Sequence, residues 1–198
     1  MDNEDYIDAV ADDSERLLGV PFDDLLVTVI ETKFPWLHAG RVVWARTQDW
    51  KQALFWVKPD GEVRHLNGPD GLANLSRMLV ESTGPLPKGL PPIKLAEATR
   101  QLTFEPRGQV ASREFLQRVR PYMANWLAED NPQSRKLFEE QCEDPALHQQ
   151  GHGWTLLFRC FNVKGGVELW TVKGDESHVA ETKKTLVCPA GTFVWPMA

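Results

Sequence analysis

The sequence predicts an α+β protein in which an antiparallel sheet, built from two meanders at about residues 41–66 and 153–196, packs with helices. Three observations predict it. Branched and aromatic residues gather in short runs: RVVWAR from Arg41, ALFWVK from Ala53 and WTLLFRCFNV from Trp154. Turn sequences at Pro59, Asp60, Gly61 and at Lys164, Gly165, Gly166 join such runs closely enough for antiparallel hairpins. Between the two strand-rich blocks, apolar residues recur at three- and four-residue steps. Strands and helices are therefore segregated along the chain rather than alternating as a parallel sheet requires.

In order, residues 4–18 read as an amphipathic helix. Tyr6, Ile7, Val10, Ala11, Leu17 and Leu18 share one face, and Asp5, Asp8, Asp12 and Glu15 share another. Leu25, Leu26, Val29, Ile30 and Phe34 suit a second helix ended by Pro35, although residues 25–30 are also good strand sequence. Strands at 41–46, 53–58 and 62–66 form the first meander. Asn67 to Gly71 break it, and Leu72, Leu75, Met78 and Leu79 mark a helix to about Ser82. Residues 83–92 hold four prolines and two glycines and form an extended connection. The expected organisation is one α+β domain over 1–198, or two subdomains, 1–83 and 93–198, joined by 84–92.

A short helix at 95–102 follows. Next comes a longer one at 112–129, with Phe115, Leu116, Val119, Met123, Trp126 and Leu127 on its apolar face and a kink at Pro121. Asn131 is positioned to cap a further helix, with Pro132 at its first turn, that runs to about Glu143. A polar loop at 148–153 leads into strands at 154–163 and 167–173, then strand-like pieces at 185–188 and 192–195.

Composition narrows the function. The chain of 198 residues is 42 % hydrophobic and 25 % charged, which is a globular balance long enough to bury a core without a structural metal. Three irregularly spaced cysteines are a poor disulfide framework and predict free thiols in a reducing compartment. No apolar run reaches the roughly 18 residues of a membrane span, and the acidic start differs from a secretory leader, so a cytoplasmic protein is expected. Residues 1–32 carry ten acids against Arg16, a net of −9 in a chain of net −6. Such a chain suits a protein partner with a basic surface rather than a nucleic acid, whose phosphates demand a concentrated basic face.

The candidate partner-binding residues are Asp5, Asp8, Asp12 and Asp13 in this acidic head, with Trp44 and Trp56 on the first meander. Tryptophan is favoured at interaction hot spots, and eight tryptophans are many for this length. No metal or cofactor is expected. The one arrangement with metal-like residue types is Cys142, His148, His152 and Cys160, but Gly151 between the two histidines and Gly153 after them argue against the helix that would align them. No catalytic motif is recognisable. Cys188 with His178 is the alternative nucleophile and base, with no Gly-flanked elbow in support. Arg100, Arg107, Arg113, Arg118 and Arg120 form the densest basic stretch, a solvated helix face or a dock for acidic groups. The sequence thus predicts a non-enzymatic protein-binding module of inhibitor, immunity, antitoxin-like or adaptor type that acts by occlusion. The alternative is a small Cys/His hydrolase or transferase.

Overall fold

Why a short run such as LVTV becomes a strand rather than a helix depends on an available edge, and the first sheet supplies one. The computed structural model describes residues 2–30, 34–103 and 108–195, and the chain divides into two compact units, Met1–Gly89 and Leu90–Ala198. In unit 1, β1 (Leu26–Val29), β2 (Arg41–Arg46), β3 (Gln52–Val57) and β4 (Val63–His65) form an antiparallel sheet in sequence order. The first meander is present with an added outer strand. β1 replaces the expected helix over 25–34, because Leu26, Val27, Thr28 and Val29 pair with Arg46, Ala45, Trp44 and Val43 along the open edge of β2. Long-range pairing outweighed a helical periodicity carried by few residues. Residues 31–33 of that expected helix lie outside the described residues.

One face of this sheet packs on the N-terminal helices α1 (Asn3–Asp8) and α2 (Ala11–Leu18). Val43, Ala45, Ala53, Phe55 and Val57 meet Tyr6, Val10, Leu18 and Leu25 there. The expected single helix is broken at Ala9 and Val10. Tyr6, Val10, Ser14 and Leu18 are the buried positions, each four residues from the last. A regular helix would carry such a stripe about 40° further round at every step, so the break helps keep it facing the sheet. The opposite face carries Val42, Trp44, Leu54 and Trp56 in adjacent register. Helix α3 (Gly71–Thr83) buries Leu75, Met78 and Leu79.

Unit 2 opens with α4 (Pro92–Thr103), the short strand β5 (Gln109–Val110) and α5 (Arg113–Val119). The expected helix through 129 changes character at Pro121, which has no N–H to continue the ladder, and becomes a 3-10 segment over Arg120–Trp126. Its apolar face survives: Phe115, Val119, Met123 and Trp126 are all buried. Helix α6 (Pro132–Gln141) has the expected cap, with the Asn131 carboxamide oxygen accepting from Ser134 N–H at 2.9 Å. Phe138 stacks on Phe161 with ring centroids 4.9 Å apart, and Phe115, Trp126 and Phe193 close the same aromatic core.

The second meander is β7 (Gly153–Phe161), β8 (Val167–Asp175) and β9 (Val179–Cys188), with β5 and β6 (Ala146–Gln150) both paired to β7. The two meanders belong to separate sheets. β6 takes part of the expected polar loop: Ala146 to Gln150 lie along Leu157 to Gly153, since an outer strand tolerates exposed His and Gln side chains. β9 runs the whole way from Val179 to Cys188, while of residues 192–195 Phe193 alone makes a ladder contact, a bridge to Leu127. Gly165 turns the β7–β8 connection at φ 72°, and a Cβ there would lie 1.8 Å from the Phe193 carbonyl oxygen. Glycine is required at that turn both for its φ and for the close approach of the C-terminal segment.

Candidate functional site

The net charge of the chain resides in unit 1, where 15 acids oppose nine bases; the 13 acids and 13 bases of unit 2 cancel. On α1 and α2, Asp5, Asp8 and Asp12 are exposed and Asp13 is half-buried. Part of this charge has structural work. Asp2 accepts from Glu4 and Asp5 N–H and Asp5 accepts from Asp2 N–H, a capping box that holds the first turn. Asp13 pairs with Arg16 one turn away. Asp8 and Asp12 make no ion pair with any described residue and remain open to a partner.

The sheet face opposite these helices carries a second feature, at the β2–β3 turn. Arg46 lies between two indoles, its guanidinium carbon 5.3 Å from the Trp44 ring centroid and 4.2 Å from that of Trp50. Trp44 is fixed by its Nε1–H donating to Gln52 Oε1 at 3.2 Å. The turn beneath is held by the Thr47 hydroxyl donating to Asp49, which keeps the Asp49 carboxyl below its usual range, and by Lys51 N–H donating to Thr47 Oγ1 at 3.0 Å. Trp50 adopts φ 70° with 53 % of its surface exposed, and Leu26, across from Arg46 on β1, is 51 % exposed. A bulky residue in the left-handed region and an exposed indole on a guanidinium are costly features that a purely structural turn does not need.

Trp56 does not share this exposure and is corrected as a partner-binding residue. It is fully buried, with its Nε1–H donating to the Ala39 carbonyl at 3.1 Å. Trp44 and Trp56 lie on one sheet face, but only Trp44 is near the open turn. Arg46 and Trp50 were not singled out from the sequence. The signal was present in the run WARTQDW, three large side chains around the three polar residues Thr47, Gln48 and Asp49.

The alternative catalytic pair is separated. His178 precedes β9 and Cys188 ends it, about 30 Å apart at strand rise. Cys188 is buried, and burial pushes its thiol up. The metal-like set is also dispersed. Cys142 belongs to the aromatic core, where burial pushes its thiol up to about 12, and His148 lies opposite Thr155, five residues along β7 from Cys160. Among the described residues no three His, Cys, Asp or Glu side chains are placed to share a metal ion. The basic stretch pairs within unit 2, Arg113 with Asp144, Arg120 with Glu139 and Arg118 with Gln109; Arg107 lies outside the described residues.

What the fold does gather is histidine. His148, His152 and His178 line one cavity of about 490 Å³ in unit 2, with Trp154, Thr155, Lys173 and Asp175. Asp175 Oδ1 accepts from Ser177 Oγ at 2.7 Å, Ser177 N at 2.8 Å, His178 N at 3.0 Å and His178 Nδ1 at 2.8 Å. These donors, led by the Ser177 hydroxyl, hold the Asp175 carboxyl down to about 2. The Ser177 hydroxyl and the imidazole Nδ1 converge on one oxygen, whereas a catalytic triad places the hydroxyl at the far ring nitrogen. Ser177 is therefore a turn residue, not a nucleophile.

No protein-family model, no curated protein and no solved structure matches the chain. Among the described residues no helix is long and apolar enough to cross a membrane.

Proposed function

We propose that unit 1 is a protein-binding module whose anchor is the Trp44, Arg46, Trp50 cluster, and that it acts by occluding a partner with a basic surface. The observation that carries this reading is Trp50: half-exposed, stacked on Arg46 and held in a left-handed backbone conformation, with the exposed Leu26 across the strand pair from Arg46. Trp and Arg dominate interaction hot spots because they combine large contact area with directional polar groups. β1 is the outer strand of its sheet. Ile30 N–H bonds the Val42 carbonyl, which by the antiparallel alternation turns the backbone groups of Val27 and Val29 away from β2. Helix α1 packs against β1, so a partner crossing this edge meets the acidic helices on one side and the tryptophans on the other. The carboxylates accelerate encounter, and the desolvated indoles slow release. An inhibitor, immunity, antitoxin-like or adaptor role follows the same physics.

The test has two steps. A photo-crosslinking residue at position 26, in the full chain expressed in its own host, identifies the partner, which is then purified. Trp50→Ala and Arg46→Ala are each expected to weaken binding by about tenfold or more, mainly through faster dissociation. Neutralising Asp5, Asp8, Asp12 and Asp13 to Asn slows association at low salt, and much less at about 0.5 M salt. Affinity unchanged by Trp50→Ala overturns the proposal.

A further inference from the structure

Three of the five histidines of the chain meet at one end of the unit 2 sheet, although they are spread over 31 residues of sequence. We infer that this cavity binds a small oxyanion, a phosphoryl or carboxylate group held by His148, His152 and Lys173. His148, Thr155 and Lys173 occupy one cross-strand row on β6, β7 and β8. Neighbouring strands lie roughly 4.8 Å apart, so a short threonine between two long side chains leaves a bay between them, and Thr155 lines the cavity. Trp154, fixed by its Nε1–H donating to the Asp175 carbonyl at 2.7 Å, also lines the cavity. The volume lies within the range of small-molecule sites.

The charges favour an anion over a cation. The cavity's one carboxylate, Asp175, is already occupied by four donors on a single oxygen, and it keeps the His178 Nδ1 as a donor because an ionised carboxylate only accepts. The other carboxylate on the row, Glu181, lies 3.3 Å from the Lys173 ammonium, in an ion pair whose two side chains are both half-exposed. His148 and His152 are exposed and make no hydrogen bond or ion pair with a described residue, so their ring nitrogens are available to a ligand. A protonated imidazole is a cation with two N–H donors, so an anion binds it better than the neutral ring and affinity falls as the pH rises. The groups that govern this dependence are His148, His152, His178, Lys173, Asp175 and Glu181.

The experiment uses the full chain, isotope-labelled at histidine, with ring C–H resonances followed by NMR at constant ionic strength. Inorganic phosphate is the probe in one arm and acetate in the other, each to about 20 mM, which covers the millimolar affinities expected of so small a ligand. Saturable shifts at His148 and His152, absent at His38 and His65 and weaker by about tenfold at pH 8, support the site; the arm with the tighter saturation names the oxyanion class. His148→Asn and His152→Asn each weaken binding, and the chain stays folded because both side chains are exposed. No saturable shift with either probe, equal shifts at all five histidines, or stoichiometric capture of zinc in place of the anions overturns the inference.

Discussion

The guanidinium carbon of Arg46 sits 4.2 Å from the centre of the Trp50 ring, and Trp50 is the one non-glycine with positive φ among the described residues. The left-handed conformation costs roughly 1–2 kcal/mol. A cation–π contact at an exposed site returns about 0.5–1 kcal/mol. The turn therefore carries an indole that its own stability does not require.

Trp50→Gly relieves the backbone and loses the contact, so chemical denaturation of the full chain should find it within about 1 kcal/mol of the natural chain. Trp50→Ala keeps the strain and should be the less stable of the two. A loss above about 2 kcal/mol for the glycine variant makes Trp50 a packing residue and removes the ground for an anchor.

His65 supplies a pH dependence. It stacks on Phe55 with Nε2 buried and without a hydrogen-bond partner, and burial holds its folded-state pKa below the ordinary 6.5. Between the folded and unfolded values the unfolded chain binds the extra proton. The stabilisation is thus complete above the unfolded value and is lost as pH falls through the folded one. The urea midpoint should drop between about pH 7 and 5 by more in the natural chain than in His65→Gln. Equal drops remove His65 as the cause.

All three thiols are buried, and burial raises Cys142 and Cys188. At pH 8 the native chain should react with an aromatic disulfide reagent about 100-fold or more slowly than the urea-unfolded chain. Rapid labelling confined to Cys188 restores the nucleophile that the geometry disfavours.

Phe138 is fully buried and touches Phe115, Trp126, Phe161 and Phe193. Phe138→Ala should cost about 3–5 kcal/mol in equilibrium unfolding, because four rings around a void cannot all move in to fill it. A cost below about 1 kcal/mol contradicts the packing.

From the sequence by itself came the α+β class, the meander strands, the Asn131 cap with Pro132, and the buried face of Phe115, Val119, Met123 and Trp126. Each rests on residues within a few positions of one another, where spacing and cap chemistry act directly. Only the tertiary structure decided β1 and β6, because a strand at an edge exists through a neighbour supplied from elsewhere in the chain. The same holds for the candidate sites. Trp44 and Trp56 look alike in sequence and share a sheet face, yet one lies beside an open turn and the other is covered. Cys188 and His178 are ten residues apart and far apart in space, while His148 and His178 are thirty apart and line one cavity. An extended strand carries its two ends apart, and antiparallel pairing brings distant turns together, so site geometry follows strand register rather than distance along the chain.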